Sequence, residues 1–276
     1  MIKMNNISKV IIISRHGNRE SWHKIPIFEN GMRGFNHTTL TKIGYENSKI
    51  LGRDLKNYHL NDIKLLTTSA ERCINTAKGI AEGLNISFSY TINDSMINGF
   101  GNYLPRVSLN SKEIDYMYNE YLDFMNQVEE ELNLDKHYSL FTNSTTIEKC
   151  TALYDVYFYH TALICYRDKG FSIDKFSSIL NELNVINIKI MNYFNQIFQE
   201  TFGEHVEKII KDLSDNKNEM VIYVSHDMDM FLMIKYLANK YNKNKEYHPP
   251  YFLSTIRFET MNDGEERIYY DDIRLN

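Results

Sequence analysis

The sequence predicts an α/β protein with a central, mainly parallel sheet flanked by helices, a mostly helical inserted cap and antiparallel edge strands near the C-terminus. Three observations carry that expectation. Short β-branched runs alternate with helical patterns from Val10 to Tyr90, residues 94–203 lose strand-like runs, and the pair Asp263-Gly264 separates two late strand candidates.

The first strand is expected at Val10 to Ile13, with others at Ile63 to Leu66, Ile86 to Tyr90 and Met220 to Val224. Between them, TKIGYENSKILGRDL places Ile43, Ile50, Leu51 and Leu55 near one helical face. SAERCINTAKGIAEGL does the same with Ile74, Ala77, Ala81 and Leu84. Strands separated by helices require crossover connections, and so a parallel sheet. YNEYLDFMNQVEEEL and SSILNELNVINIKIMNYFNQIFQETF then read as long helices, with the aromatic run ALYDVYFYHTALICY expected as helix core. HVEKIIKDL, with Val206, Ile209, Ile210 and Leu213 at helical spacing, leads back to the sheet. In the tail, Phe252 to Glu259 and Arg267 to Asp271 flank Asn262, Asp263 and Gly264, a hairpin signal. The expected division is a core of residues 1–93 and 204–276 with an insertion at 94–203.

Composition narrows the function. Hydrophobic residues at 43% and charged residues at 24% fit a packed core. With 31 Lys plus Arg against 36 Asp plus Glu, the net charge of -5 provides no general basic field. Neither nucleic acid nor a membrane is therefore an expected partner, and any anion site must be local. The 3 cysteines lack CxxC spacing, which argues against a zinc site and a disulfide framework. The histidines outside the strand ends show no metal-ligand spacing, so no metal or cofactor is expected. The apolar run before Arg15 is too short for a signal peptide or a membrane span. The expectation is a cytoplasmic protein, a leader removed ahead of this numbering aside.

Ligands of open α/β sheets bind beyond the carboxyl ends of the strands. There the sequence places Arg15, His16, Gly17 and Arg19 after the first strand. Ser69 and Arg72 follow the second, and Ser225, His226 and Asp227 the late one. Three arginines, two histidines and a carboxylate suit a phosphate monoester, because guanidinium forks hold phosphoryl oxygens in two-point contacts. His16 is the candidate nucleophile, and Gly17 is expected to let the backbone approach the phosphate. Asp227 also reads as a helix N-cap. Cys73 is expected to be an inert packed thiol, while His23 and Lys24 are candidates for lining the mouth of the site.

The segments RHGNR, LTKIG, TSAERCINTA, SHD and HPPYFLSTIRFE together resemble the histidine acid phosphatases, the second branch of the histidine phosphatase superfamily. The resemblance implies that His16 becomes phosphorylated, that Arg15, Arg19, Arg72 and His226 bind phosphate, and that Asp227 donates a proton. It implies a two-step acid phosphatase, a phosphomonoesterase acting on a small-molecule phosphate monoester. The alternatives are a phosphomutase or transferase of the mutase-like branch, and a non-catalytic phosphate-ligand binding protein.

Overall fold

A computed structural model describes residues 6–19, 25, 39–95, 104–134, 143–243 and 247–276. It contains strands β1 (Ile7–Arg15), β2 (Ile63–Thr67), β3 (Thr91–Ile92), β4 (Met220–Ser225), β5 (Thr255–Met261), β6 (Glu266–Tyr270) and β7 (Ile273–Arg274). Its α-helices are α1 (Lys42–Leu55), α2 (Glu71–Leu84), α3 (Ser111–Leu132), α4 (Thr146–Asp168), α5 (Ser177–Ser214) and α6 (Asp227–Lys240). The strands form one sheet of order β3-β2-β4-β1-β5-β6-β7. The first four in that order run parallel, and β5, β6 and β7 extend the sheet antiparallel.

Strand β1 is buried on both faces, as an unbroken Val10 to Ile13 run requires. Val10 and Ile12 join Leu65, Met220, Ile222 and Val224 from the sheet in a cluster with Cys73, Ala77, Ile80, Ala81 and Leu84 of α2. The register pairs Arg15 with Ser225 and Thr67 with Val224, so the carboxyl ends of β1, β2 and β4 finish level. Everything attached just beyond those ends is thereby gathered into one place.

The Ile86 to Tyr90 strand expectation is not met. Ile86 and Phe88 pack against the core without ladder hydrogen bonds, Phe88 stacks on Tyr90 at 5.0 Å, and only Thr91 and Ile92 pair with β2. Helix α1 meets its expected inward face only in part, with Leu55 buried and Leu51 packed against the core. Ile43 and Ile50 are exposed, while Gly44, Ser48, Gly52 and Leu55 are buried. The reason is close packing against α2: a Cβ on Gly52 would lie 2.2 Å from the Ile80 carbonyl oxygen, and one on Gly83 2.2 Å from that of Lys49. The hairpin forms where expected, with Gly264 at φ +87° between β5 and β6.

The chain divides into two compact units, one of Met1–Arg19, Thr38–Pro105 and Phe198–Asn276, the other of Glu20–His37 and Arg106–Ile197. The first contains the whole sheet. In the second, α4 starts with a Thr145/Glu148 capping box and buries Leu153, Tyr154, Tyr157, Tyr159 and Tyr166, the aromatic helix core the sequence foretold. Helix α5 runs 38 residues without a break at Gly203, and carries the chain from the second unit back to the first. No described helix is long and apolar enough to cross a membrane.

Candidate active site

The site is built on three strand ends and closed by the loop before β5. His16 directly follows β1, its backbone N-H donating to Ser225 O at 3.0 Å. The residue is 2% exposed, and its Nδ1 lies 2.9 Å from Gly17 O. A carbonyl oxygen only accepts, so Nδ1 carries the proton and Nε2 holds the free lone pair. Burial, followed by the charges of Arg72, Arg15, His226 and Arg19, pushes the His16 pKa well below the ordinary imidazole value. The ring is neutral at physiological pH, the form a nucleophile needs.

Arg15 is the most constrained of the cations. Its Nη1 donates to Pro250 O at 2.7 Å, its Nη2 lies 2.9 Å from Asp227 Oδ2, and its guanidinium stands over the Phe252 ring at 4.3 Å. The same Phe252 ring lies 5.8 Å from that of His16. Phe252 is held by a turn in which Ser254 N donates to Tyr251 O and Ser254 Oγ accepts from Tyr251 N, with Leu253 at φ +62°. Such a φ is uncommon for a branched side chain, and it marks a loop fixed by its surroundings.

Arg72 enters from the first turn of α2, whose N-cap residue Ala70 supplies no side-chain cap. Its Nη2 lies 3.0 Å from His226 Nδ1, and its buried Nε has no hydrogen-bond partner among the described residues. An unpaired buried guanidinium nitrogen is costly, and an anion would satisfy it. Because Arg72 can only donate, His226 Nδ1 accepts and its Nε2-H points to Thr68 Oγ1 at 3.1 Å. Burial first, then Arg72, pulls the His226 pKa down to about 3, with Asp227 acting in the opposite direction. The His16 and His226 rings meet edge to face at 5.6 Å.

Arg19 is 3% exposed and pairs as an isolated bridge with Leu40. Thr41, the N-cap of α1, holds the adjacent Asn18 O through both its N-H and its hydroxyl. Asp227 is the first residue of α6, and the N-cap is His226. The expectation of an Asp N-cap is thus corrected: Asp227 Oδ1 accepts from Met228 N, and Oδ2 faces Arg15. Arg15, His16, Arg19, Arg72, His226 and Asp227 are all brought together. His23 and Lys24 lie outside the described residues.

Gly17 has a packing reason to be glycine. A Cβ there would lie 2.7 Å from Gly44 O and 3.1 Å from Ser48 Oγ, so the glycine admits α1. Cys73 is fully buried and its thiol pKa is pushed up to about 12 by burial, which fits an inert thiol. Sequence reasoning missed Thr68, Thr76, Pro250 and Phe252. Thr68 and Thr76 lie within TSAERCINTA, and Pro250 and Phe252 within HPPYFL, so proximity to the motif residues was the available signal.

These features define a class first: a mixed α/β fold matching histidine-phosphatase-like structures, with a buried His-Arg cluster at its strand ends. Residues 11–103 match the family profile described as Histidine phosphatase superfamily (branch 1). That stretch includes Arg15, His16 and Arg72 but ends well before His226 and Asp227. Among solved structures, the chain is similar to the phytase of Citrobacter braakii, with a TM-score of 0.61 at 16% identity over 95% of this chain and 84% of that one. The phytase of Klebsiella sp ASR1 gives 0.56 at 13%, over 95% and 80%. A Bifidobacterium longum multiple inositol polyphosphate phosphatase, complexed with inositol hexasulfate, gives 0.57 at 10%, over 97% and 86%. No curated protein matches the sequence.

Proposed function

We propose that the protein is a phosphomonoesterase that works through a phosphohistidine on His16. The observation that carries this reading is the His16 ring, fixed by Gly17 O with Nε2 unprotonated and surrounded by Arg15, Arg19 and Arg72. The ester's phosphoryl oxygens occupy the arginines, including the unpaired Nε of Arg72. The Nε2 lone pair forms a bond to phosphorus as the P-O bond to the alcohol breaks, and Asp227 gives its proton to the departing oxygen. Water then attacks phosphorus, Asp227 takes its proton, the P-N bond breaks and inorganic phosphate leaves.

The Asp227 carboxylate is paired with Arg15. A phosphate dianion competes for that cation, and a like charge at this range favours the protonated carboxyl. The proton needed for departure is therefore acquired along with the substrate. His226 binds phosphate only after exchanging its Arg72 contact, since its Nδ1 is an acceptor as it stands.

In our reading Asp227 beside His226 favours the acid phosphatase branch over the mutase-like one, whereas the family profile matched over residues 11–103 is that of branch 1. The substrate test is a panel of sugar phosphates, inositol phosphates and para-nitrophenyl phosphate, given to the purified protein without an acceptor alcohol. Release of inorganic phosphate is expected. Phosphate transfer only when an acceptor is supplied would point to a transferase, and binding without turnover to a phosphate-ligand protein.

A further inference from the structure

We infer that Thr76 is a positioning residue for the nucleophile. The proposal takes the role of His16 from the reading above and adds to it. Thr76 is fully buried on α2, one turn after Arg72. Its Oγ1 donates to Arg72 O at 2.7 Å and accepts the backbone N-H of Gly17 at 2.9 Å. The Gly17 carbonyl in turn accepts from His16 Nδ1 at 2.9 Å. One hydroxyl thus ties both ends of the site: the helix that presents Arg72 and the glycine whose carbonyl dictates which His16 nitrogen keeps its lone pair.

Gly17 is free to rotate in sequence terms, since it has no side chain of its own. Packing of Gly44 and Ser48 against it limits where it sits, but among the described residues only the Thr76 bond engages its N-H. Without that acceptor the N-H is buried and unsatisfied, a penalty relieved by rotating the 16–17 peptide. Rotation displaces the His16 ring and loosens its bond to Gly17 O, so Nε2 no longer holds its lone pair in every molecule.

The test compares Thr76→Val, which keeps the shape and loses the hydroxyl, with Thr76→Ser, which keeps it. The first readout is nitrogen-15 NMR of the His16 ring, in which protonated and unprotonated nitrogens differ strongly. Wild type and Thr76→Ser should show the Nδ1-H tautomer alone, and Thr76→Val an averaged pair. The second is turnover: kcat of Thr76→Val should fall roughly 10- to 100-fold, the range set by one lost buried hydrogen bond, with recovery in Thr76→Ser. If Thr76→Val does not fold, Thr76→Ala, which crowds nothing, takes its place. Hydrogen exchange of the Gly17 amide in the wild type is an independent check, and protection is expected. A wild-type tautomer signature and kcat in the Val or Ala variant, or an unprotected Gly17 amide, would overturn the proposal. Absence of turnover in the wild type would instead remove the phosphatase reading and leave the NMR result to judge Thr76.

Discussion

Replacing Asp227 by Asn should move catalysis and phosphate affinity in opposite directions. The carboxylate lies 2.9 Å from Arg15 Nη2, and its side chain is 17% exposed. A phosphate held by Arg15 would stand within roughly 5 Å of that carboxylate, where one unit charge against another amounts to about 3 kcal/mol at an effective dielectric constant near 20. Partial solvent access trims this, so a tightening of inorganic phosphate by about tenfold is the working figure, or about 1.4 kcal/mol. Loss of the proton donor lowers kcat by roughly 100- to 10,000-fold on alkyl phosphates. Aryl phosphates with acidic phenols leave without help and should lose far less. The variant gives up the Arg15 ion pair while Arg15 keeps Pro250 O and Phe252, and without added phosphate it should lose about 1–3 kcal/mol of stability. The assays are product inhibition by phosphate, kcat across a series of leaving groups, and thermal melts with and without phosphate. Weaker phosphate inhibition together with an equal kcat loss on every leaving group would show that Asp227 only orients Arg15, and would refute the reasoning.

His16→Ala should abolish turnover and, because it truncates a buried ring, also lower the melting temperature; acid-labile phosphate trapped on the wild type and still found on the variant would exclude His16. Arg72→Ala should weaken phosphate and vanadate binding at least tenfold and, by removing a cation beside His226, raise that imidazole's pKa from about 3; an NMR titration of His226 that does not move would contradict the pairing. Lowered histidine pKa values also make the stability of the protein pH-sensitive. The unfolded chain binds more protons than the folded one between about pH 3 and the ordinary histidine value of 6.5, so stability is full above that window and falls as pH drops through it. Melts from pH 8 to 4 should show this loss, reduced by phosphate; a flat profile would mean the two rings are not neutral in the fold. Gly52→Ala drives a Cβ against the Ile80 carbonyl and should cost about 1–3 kcal/mol, read by urea unfolding.

The chemistry of this site was more legible than its mechanics. Arg15, His16, Arg72, His226 and Asp227 could be grouped from sequence because strand ends of a parallel sheet share one rim, a rule that needs only the strand positions. Hydrophobicity alone places Leu51 and Leu55 of α1 inward correctly but Ile43 and Ile50 wrongly. Where two helices meet backbone to backbone, small residues such as Gly44, Ser48 and Gly52 form the contact, and Ile43 and Ile50 are left outside. The strand expected at Ile86 to Tyr90 failed for a related reason: Ile86 and Phe88 are apolar to plug the core, and alternation alone does not supply a hydrogen-bonding neighbour. Thr76 and Phe252 could not be assigned at all, since their roles depend on distances between segments that lie far apart in the chain.

The strand order has a consequence for how the protein comes into being. β4 sits between β2 and β1, so these two early strands never touch each other and have no shared ladder to form. During synthesis, β1 must wait for residues 220–225 to emerge before it gains its parallel neighbour, and until then β2 has only its two-residue pairing with β3. His16 is therefore made early and becomes competent late, and the intervening helices can form on local contacts while an apolar, unpaired β1 is at risk of association with other chains. A nascent chain halted before Met220 should be inactive and prone to aggregate, because strand β4 and the residues His226 and Asp227 are still missing.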